Sequence, residues 1–212
     1  FVRFQLTTNI AAIFTILFGR LLGLPTPFTA IQVLFVNIIA DGPPEVSLGV
    51  DTPKVYLMER PPRDPGAPIL NGQRLVRIVG GAVVMTVITL SLLFLAEGEV
   101  GTDVALTMTF TTFVLLQMAN ALAVRVPTGS VLSRHSLTNR ALWVSLATVV
   151  LVQVLVVQLP WLQEIFDTVS LTAAQWGICV AAALAYLLLD EVRSLAERFL
   201  SGGRGSRDAA GA

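Results

Sequence analysis

A carboxylate and an amide stand four residues apart in an otherwise apolar stretch of the sequence. Asn37 and Asp41 lie in QVLFVNIIADGPP, and this spacing places both side chains on one face of an α-helix. The Gly42-Pro43-Pro44 that follows removes backbone donors, breaks the helix and frees carbonyl oxygens of the preceding turn. Carboxylate, amide and carbonyl oxygens in a dehydrated site suit a hard cation. The sequence therefore predicts a cation site at Asp41, and an interhelical hydrogen bond with a proline kink is the alternative.

Three further amides lie deep in apolar segments and would supply neutral oxygen ligands. Asn9 is in QLTTNIAAIF, whereas Gln117 and Asn120 stand three residues apart in LLQMANAL. Each of these amides, taken singly, is also consistent with hydrogen bonding between membrane helices. Glu45, one turn beyond Asp41, would serve as a ligand, as a protonatable partner or as a hydrated residue, and the sequence does not choose among these roles.

The composition places these residues in a membrane protein. Hydrophobic residues make up 54% of the chain and charged residues 13%, with a mean hydropathy of +0.76, whereas soluble domains carry about 25% charged residues. The formal net charge of +0 argues against a strongly basic nucleic-acid-binding protein, so we expect no nucleic-acid partner. The single cysteine, Cys179, excludes an internal disulfide framework. The sequence also lacks phosphate-binding loops of Walker type and the spacings of metalloproteases.

Six segments are apolar enough to cross the bilayer, because about 30 Å of hydrocarbon needs roughly 20 helical residues. They cover residues 2–22, 28–49, 74–95, 103–124, 140–159 and 172–190. We therefore predict an all-α integral membrane protein, a bundle of six transmembrane helices in the lipid bilayer with the second helix broken at Gly42-Pro43-Pro44. Polar loops are expected at 51–72 and 125–139, turns at 96–101 and 160–170, and a disordered cytoplasmic tail at 200–212.

The basic residues are distributed unequally between the two sides of this predicted topology. Thirteen of the 14 fall on the side of the loops 51–72 and 125–139: Arg3, Lys54, Arg60, Arg63, Arg74, Arg77, Arg125, Arg134, Arg140, Arg193, Arg198, Arg204 and Arg207. Arg20 alone lies on the opposite side, together with several acidic residues. Because cytoplasmic loops carry the excess of Lys and Arg, both termini are expected to face the cytoplasm.

At FQLTTN, VNIIADGPPEVSLGVD, MERPPR and LLQMANAL, the chain closely resembles the carboxyl-terminal membrane half of P-type cation-transporting ATPases of the calcium-pump group. The order and spacing of these motifs match the family's fifth to tenth transmembrane helices over residues 1–199. The resemblance implies that Asn9, on the fifth helix, Asn37 and Asp41, on the sixth, and Gln117, on the eighth, contribute to the cation site. It also implies Ca²⁺ as the transported ion.

Three departures from the two-site calcium pumps of the sarcoplasmic reticulum refine this resemblance. Those pumps have a glutamate at the position of Ala12, another at the position of Gln117 and a threonine at the position of Ala40. The losses remove two carboxylates and a hydroxyl from one of the two calcium sites. The pattern is more similar to plasma-membrane calcium pumps, which carry one ion, and implies a location in the plasma membrane.

The parts of such a pump that hydrolyse ATP are not in this sequence. Neither the DKTGT motif, whose aspartate is phosphorylated, nor the P-E-G-L motif, which completes the cation site, occurs here. ATP and Mg²⁺ would bind only in the missing amino-terminal part, which we expect to be this chain's partner. As given, the chain is expected to neither hydrolyse ATP nor pump ions.

The sequence opens on Phe1 rather than Met and starts partway into a predicted helix, so we expect an excerpt from a longer protein. The alternative is an independent, non-catalytic membrane protein, a truncated or split remnant of a pump with a structural or regulatory role. A secondary transporter with a broken-helix site would need an internal repeat, and none links the first three spans to the last three.

Overall fold

The computed structural model describes residues 1–51, 72–125 and 139–208, and this part of the chain is helical with no strands. The predicted loops, including the MERPPR motif, lie mostly outside the described residues. The elements follow in the order α1 (Val2–Leu21), α2 (Ala30–Phe35), a π-helix (Val36–Asp41), α3 (Gly42–Gly49), α4 (Gly72–Val100), α5 (Thr102–Arg125), α6 (Arg140–Gln158), α7 (Pro160–Phe166) and α8 (Ala173–Asp208).

Four helices in the described part are long and apolar enough to cross a membrane. They are α1, residues Arg74–Val100 of α4, α5 and α6. The remaining two predicted spans fall on the segment from α2 to α3 and on α8, which are not among these four. The all-helical membrane architecture is confirmed, whereas the count of six spans stays a prediction.

The second apolar segment is not broken at Gly42-Pro43-Pro44, contrary to the sequence prediction. Gly42 has right-handed helical angles, φ −52° and ψ −61°, and α3 begins there. The departure from α geometry comes one turn earlier, where Val36–Asp41 form the π-helix. The prolines occupy the first turn of α3, where missing N–H groups cost little. The wider π turn accommodates the preceding carbonyls, which have lost their donors to proline.

α5 is the central helix, in contact with α1, α4, α6, α8 and the π-helix. Phe110 and Phe113 are fully buried. Phe113 packs on Phe28 with 4.9 Å between ring centroids, and Phe110 packs on Phe35 at 5.5 Å. Large apolar side chains on the outer helices instead point outward, as Phe94 does with 69% of its surface exposed. An apolar exterior around a polar-containing central helix is what a bilayer requires.

The turn between α4 and α5 is shorter than the predicted 96–101. α4 continues to Val100 and α5 begins at Thr102, so Gly101 alone reverses the chain. Its φ of +86° lies in the left-handed region, which glycine adopts without a Cβ clash. The two helices are therefore joined as a tight hairpin.

Two further elements differ from the sequence prediction. The predicted turn 160–170 contains the short helix α7, which begins at Pro160 because proline at the first helical position costs no hydrogen bond. The helix α8 extends to Asp208, beyond Phe199, because extending a formed helix costs far less than starting one. The division into a membrane domain at 1–199 and a tail at 200–212 stays a prediction, and residues 209–212 lie outside the described part.

Candidate cation site

Asp41 ends the π-helix with its side chain buried, only 2% exposed. Its Oδ2 accepts a hydrogen bond from Thr8 Oγ1 on α1 at 3.3 Å. Its Oδ1 is buried and has no hydrogen-bond partner among the described residues. A buried carboxylate oxygen without a donor is costly, so this oxygen is suited to binding a cation.

α1 brings a hydroxyl and an amide to the same region. Thr8 also donates to Gln5 O at 3.1 Å, so its single proton is shared between two acceptors. Asn9 follows Thr8 directly and is half-buried. Sequence reasoning missed Thr8 as a partner of Asp41. The signal that could have identified it is the polar run Thr7-Thr8-Asn9 inside an apolar helix.

The structure does not bring Asn37 to the same side of its helix as Asp41. Asn37 is exposed, and its Nδ2 donates to Val33 O in its own helix at 2.9 Å. The prediction of a shared face assumed α-helical periodicity, whereas the residues between them are in the π-helix, which turns by a different angle per residue. Asn37 therefore points out of the bundle here.

Gln117 lies fully buried on α5, and neither its Oε1 nor its Nε2 has a hydrogen-bond partner among the described residues. Asn120, one turn later, differs because its Oδ1 accepts a hydrogen bond from Tyr186 Oη at 3.0 Å. Asn120 thus links α5 to α8, as expected of an amide between helices. An unsatisfied buried amide such as Gln117 needs an explanation, and a bound ion is one.

The donor set around Asp41 contains few charges. No three His, Cys, Asp or Glu side chains of the described ranges come together as a metal-binding group. A cation at Asp41 would therefore be held by at most two such side chains and otherwise by neutral oxygens. Glu45, one turn after Asp41, also has a buried Oε1 without a hydrogen-bond partner among the described residues. Calcium ordinarily takes about six to eight oxygens, and the described residues supply only part of such a shell.

An ion pair between Arg125 and Asp51 holds the chain just after α3 against the central helix α5. Arg125, the last residue of α5, donates from Nε to Asp51 Oδ2 at 2.7 Å and from Nη2 to Oδ1 at 3.1 Å. Asn139 Nδ2 donates to Asp51 Oδ1 at 3.0 Å and to Ser47 O at 2.9 Å. Asn139 also caps α6 through Leu142 N. The ends of α3, α5 and α6 are thereby tied together.

Known proteins resemble this chain over most of its length. Residues 25–196 match the family model described as cation transporting ATPase, C-terminus. The chain is 37% identical over 206 residues to calcium-transporting ATPase type 2C member 2 of Mus musculus, covering 96% of this chain and 22% of that protein. It is 36% identical over 195 residues to calcium-transporting ATPase 1 of Schizosaccharomyces pombe, covering 91% of this chain and 22% of that protein.

A human relative gives the same result. Calcium-transporting ATPase type 2C member 1 of Homo sapiens is 34% identical over 199 residues, which cover 93% of this chain and 22% of that protein. The chain thus spans 22% of the length of each of these relatives. These names do not test the nearer likeness to plasma-membrane pumps, which stays a prediction.

Proposed function

Because this chain belongs to the family of cation-transporting ATPase carboxyl-terminal regions, we propose that it forms the cation-binding membrane domain of an ATP-driven pump that transports Ca²⁺. The observation that carries the proposal is Asp41, a buried carboxylate with one oxygen bound to Thr8 and the other without a partner in the described part of the chain. The match to 22% of several calcium-transporting ATPases supports calcium as the ion.

The proposed membrane arrangement has six spans. Residues 30–49, from α2 through the π-helix to α3, are about 30 Å long at about 1.5 Å per residue and would cross the bilayer as one continuous helix. α8 provides the sixth span, so that the set corresponds to the fifth to tenth helices of the family. The excess of basic residues on one side supports cytoplasmic termini. We place the pump in the plasma membrane.

In the proposed site, Asp41 carries the charge and Asn9 and Gln117 add neutral oxygens. Asn37 stays a proposed ligand, and it would have to rotate from the exposed face of its helix toward Asp41 to contact the same ion. The amino-terminal part of the pump would supply the remaining oxygens of the calcium shell. ATP and Mg²⁺ bind there too, and phosphorylation would tilt the helices of this domain so that Asp41 opens to each side of the membrane in turn.

Asp41→Asn in the complete pump tests the proposal. The change keeps the size of the side chain and the Thr8 contact but removes the charge that binds the cation. We expect calcium-dependent phosphoenzyme formation from ATP to be lost at unchanged protein levels. Asp103→Asn is the matched control, because Asp103 is exposed at the start of α5. Full calcium-activated phosphorylation of the Asp41 variant would refute the site assignment.

A further inference from the structure

A cavity of about 350 Å³ lies between α4 and α8, and Asp41 does not line it. Arg77, Asp190 and Arg193 line one end, whereas Val84 and Tyr186 line the other. α4 begins and α8 ends on the side of the basic residues, so the charged end faces that membrane surface and the other end lies deeper. The cavity is therefore amphipathic along the membrane normal.

Arginines from two helices line its charged end. Arg77 comes from α4 and Arg193 from α8. Asp190 is the acidic residue in the lining and accepts a hydrogen bond from Arg193. The described lining of the cavity thus contains two guanidinium groups and one carboxylate. Guanidinium groups bind phosphate oxygens through paired N–H donors, so the charge and geometry suit a phosphate.

Gly80 and Gly81 line the cavity between its charged end and Val84. A Cβ atom on Gly80 would meet no heavy atom within 4 Å, so this face of α4 opens onto empty space. A Cβ on the neighbouring Gly81 would lie 3.1 Å from Thr7 Cγ2 and 3.4 Å from Tyr186 Oη, so that residue is packed. From Arg77 to Val84 the slot follows α4 for about 10 Å, at about 1.5 Å per residue. Such an apolar slot below a phosphate-binding end fits the upper part of an acyl chain.

We propose that this cavity binds an anionic phospholipid, with its phosphate at Arg77 and Arg193 and one acyl chain against Gly80. A free phosphate would use the arginines but would leave the apolar slot unfilled. A negatively charged headgroup also gains from the basic surface of the same leaflet. This inference rests on the proposed membrane orientation and is independent of the cation site.

Native mass spectrometry of the complete pump, titrated with phosphatidylglycerol or phosphatidylcholine, tests the proposal. We expect phosphatidylglycerol to bind more tightly. Gly80→Leu places a side chain in the slot, where a Cβ would meet no heavy atom within 4 Å, and should weaken phosphatidylglycerol binding about tenfold. Arg77→Gln with Arg193→Gln should lower phosphatidylglycerol binding to the level of phosphatidylcholine.

Matched controls lie outside the cavity. Gly98→Leu adds the same side chain at an open position of α4, and Arg140→Gln removes an exposed arginine of α6; both should leave lipid binding unchanged. Soluble glycerol 3-phosphate should displace the lipid only at far higher concentration. Undiminished phosphatidylglycerol binding in the Gly80 and the arginine variants would overturn the proposal. Displacement of the lipid by glycerol 3-phosphate at a similar concentration would show that the cavity binds a soluble phosphate rather than a lipid. An Asp41→Asn pump that forms no phosphoenzyme should still bind the lipid. Phosphoenzyme formation and lipid binding therefore test the proposed function and the lipid site separately.

Discussion

The hydroxyl of Thr8 joins the Asp41 carboxylate to α1 and thereby sets which way that carboxylate faces. Thr7, its neighbour, donates instead to Arg3 O in its own helix at 2.8 Å. The two threonines are adjacent and both buried, with 2% and 1% of their surfaces exposed, yet only Thr8 contacts the candidate site. They therefore form a natural pair for separating a site effect from a packing effect.

Thr8→Ala should weaken calcium activation of the complete pump. A hydrogen bond to a charged group contributes about 1.5–3 kcal/mol, and the 3.3 Å contact is long, so we expect about a fivefold to tenfold rise in the calcium concentration for half-maximal phosphorylation. Thr8→Ser, which keeps the hydroxyl, should restore most of the affinity. Thr7→Ala should change it little. Equal effects of the Thr7 and Thr8 variants would show that the hydroxyl contact is unimportant.

For individual residues, the sequence predicts burial but not side-chain contacts or directions. A lone carboxylate in an apolar run has to be buried in the bundle, and Asp41 is. Thr8 could not be assigned, because a helical threonine commonly bonds its own backbone, as Thr7 does. The direction of Asn37 depends on local helix geometry, which a residue spacing of four does not reveal.

Gly101 shows how one backbone conformation sets the geometry of two helices. Its φ of +86° would strain any residue with a Cβ, by about 1–2 kcal/mol. Gly98, one turn earlier in α4, has helical geometry and open space around it.

The two glycines should respond oppositely to alanine. Gly101→Ala is expected to lower the midpoint of thermal inactivation of the pump by a few degrees. Gly98→Ala should hold or raise it, because alanine is favoured over glycine inside a helix by about 1 kcal/mol. A shift in the same direction for both variants would contradict the strain assigned to Gly101.

The ion pair of Arg125 and Asp51 stabilises the contact between the chain just after α3 and the end of α5. Its side chains are only 2% and 19% exposed, so removing one partner leaves a largely buried charge. Arg125→Gln and Asp51→Asn should each lower the midpoint of thermal inactivation. Because neither buried charge then remains, the double variant should lose less than the sum of the two single variants. Strictly additive losses would show that the pair is not coupled.

The two prolines after Asp41 show why the form of a helix distortion is hard to predict from sequence. Two prolines predict a disruption because they remove donors, and the disruption is present. Its form could not be predicted, since a break and a π turn both accommodate carbonyls without donors. The turn at Gly101 was predicted too long because acidic residues such as Glu97 and Glu99 are tolerated in the exposed end of α4.

At the scale of the whole molecule, the ligand inventory bears on how many ions are carried. Ala12 and Ala40 supply no side-chain oxygen, and Gln117 supplies a neutral one. We therefore expect one calcium ion per phosphorylated pump, measured as occluded radioactive calcium against phosphoenzyme. Asp41→Asn should occlude none. Two ions per phosphoenzyme would contradict the prediction.

The membrane class and the helical architecture were predictable from sequence because hydropathy over whole segments integrates many residues. The central position of α5 was not, because its threonines and amides make it less apolar than α4, although it is more buried. In a membrane the polar helix belongs inside, so polarity rather than apolarity marks the centre of the bundle.

The π-helix is a dislocation in the pattern of backbone hydrogen bonds. The α-helical turns before and after it are therefore out of register with each other. Such a dislocation moves along a helix by exchanging one backbone hydrogen bond at a time. Each such step would rotate the residues it passes by about 100°, the angle between neighbours in an α-helix. Asp41 would then face a different neighbour without any unwinding of its helix. Amide hydrogen exchange is accordingly expected to be faster across Val36–Asp41 than in the buried middle of α5.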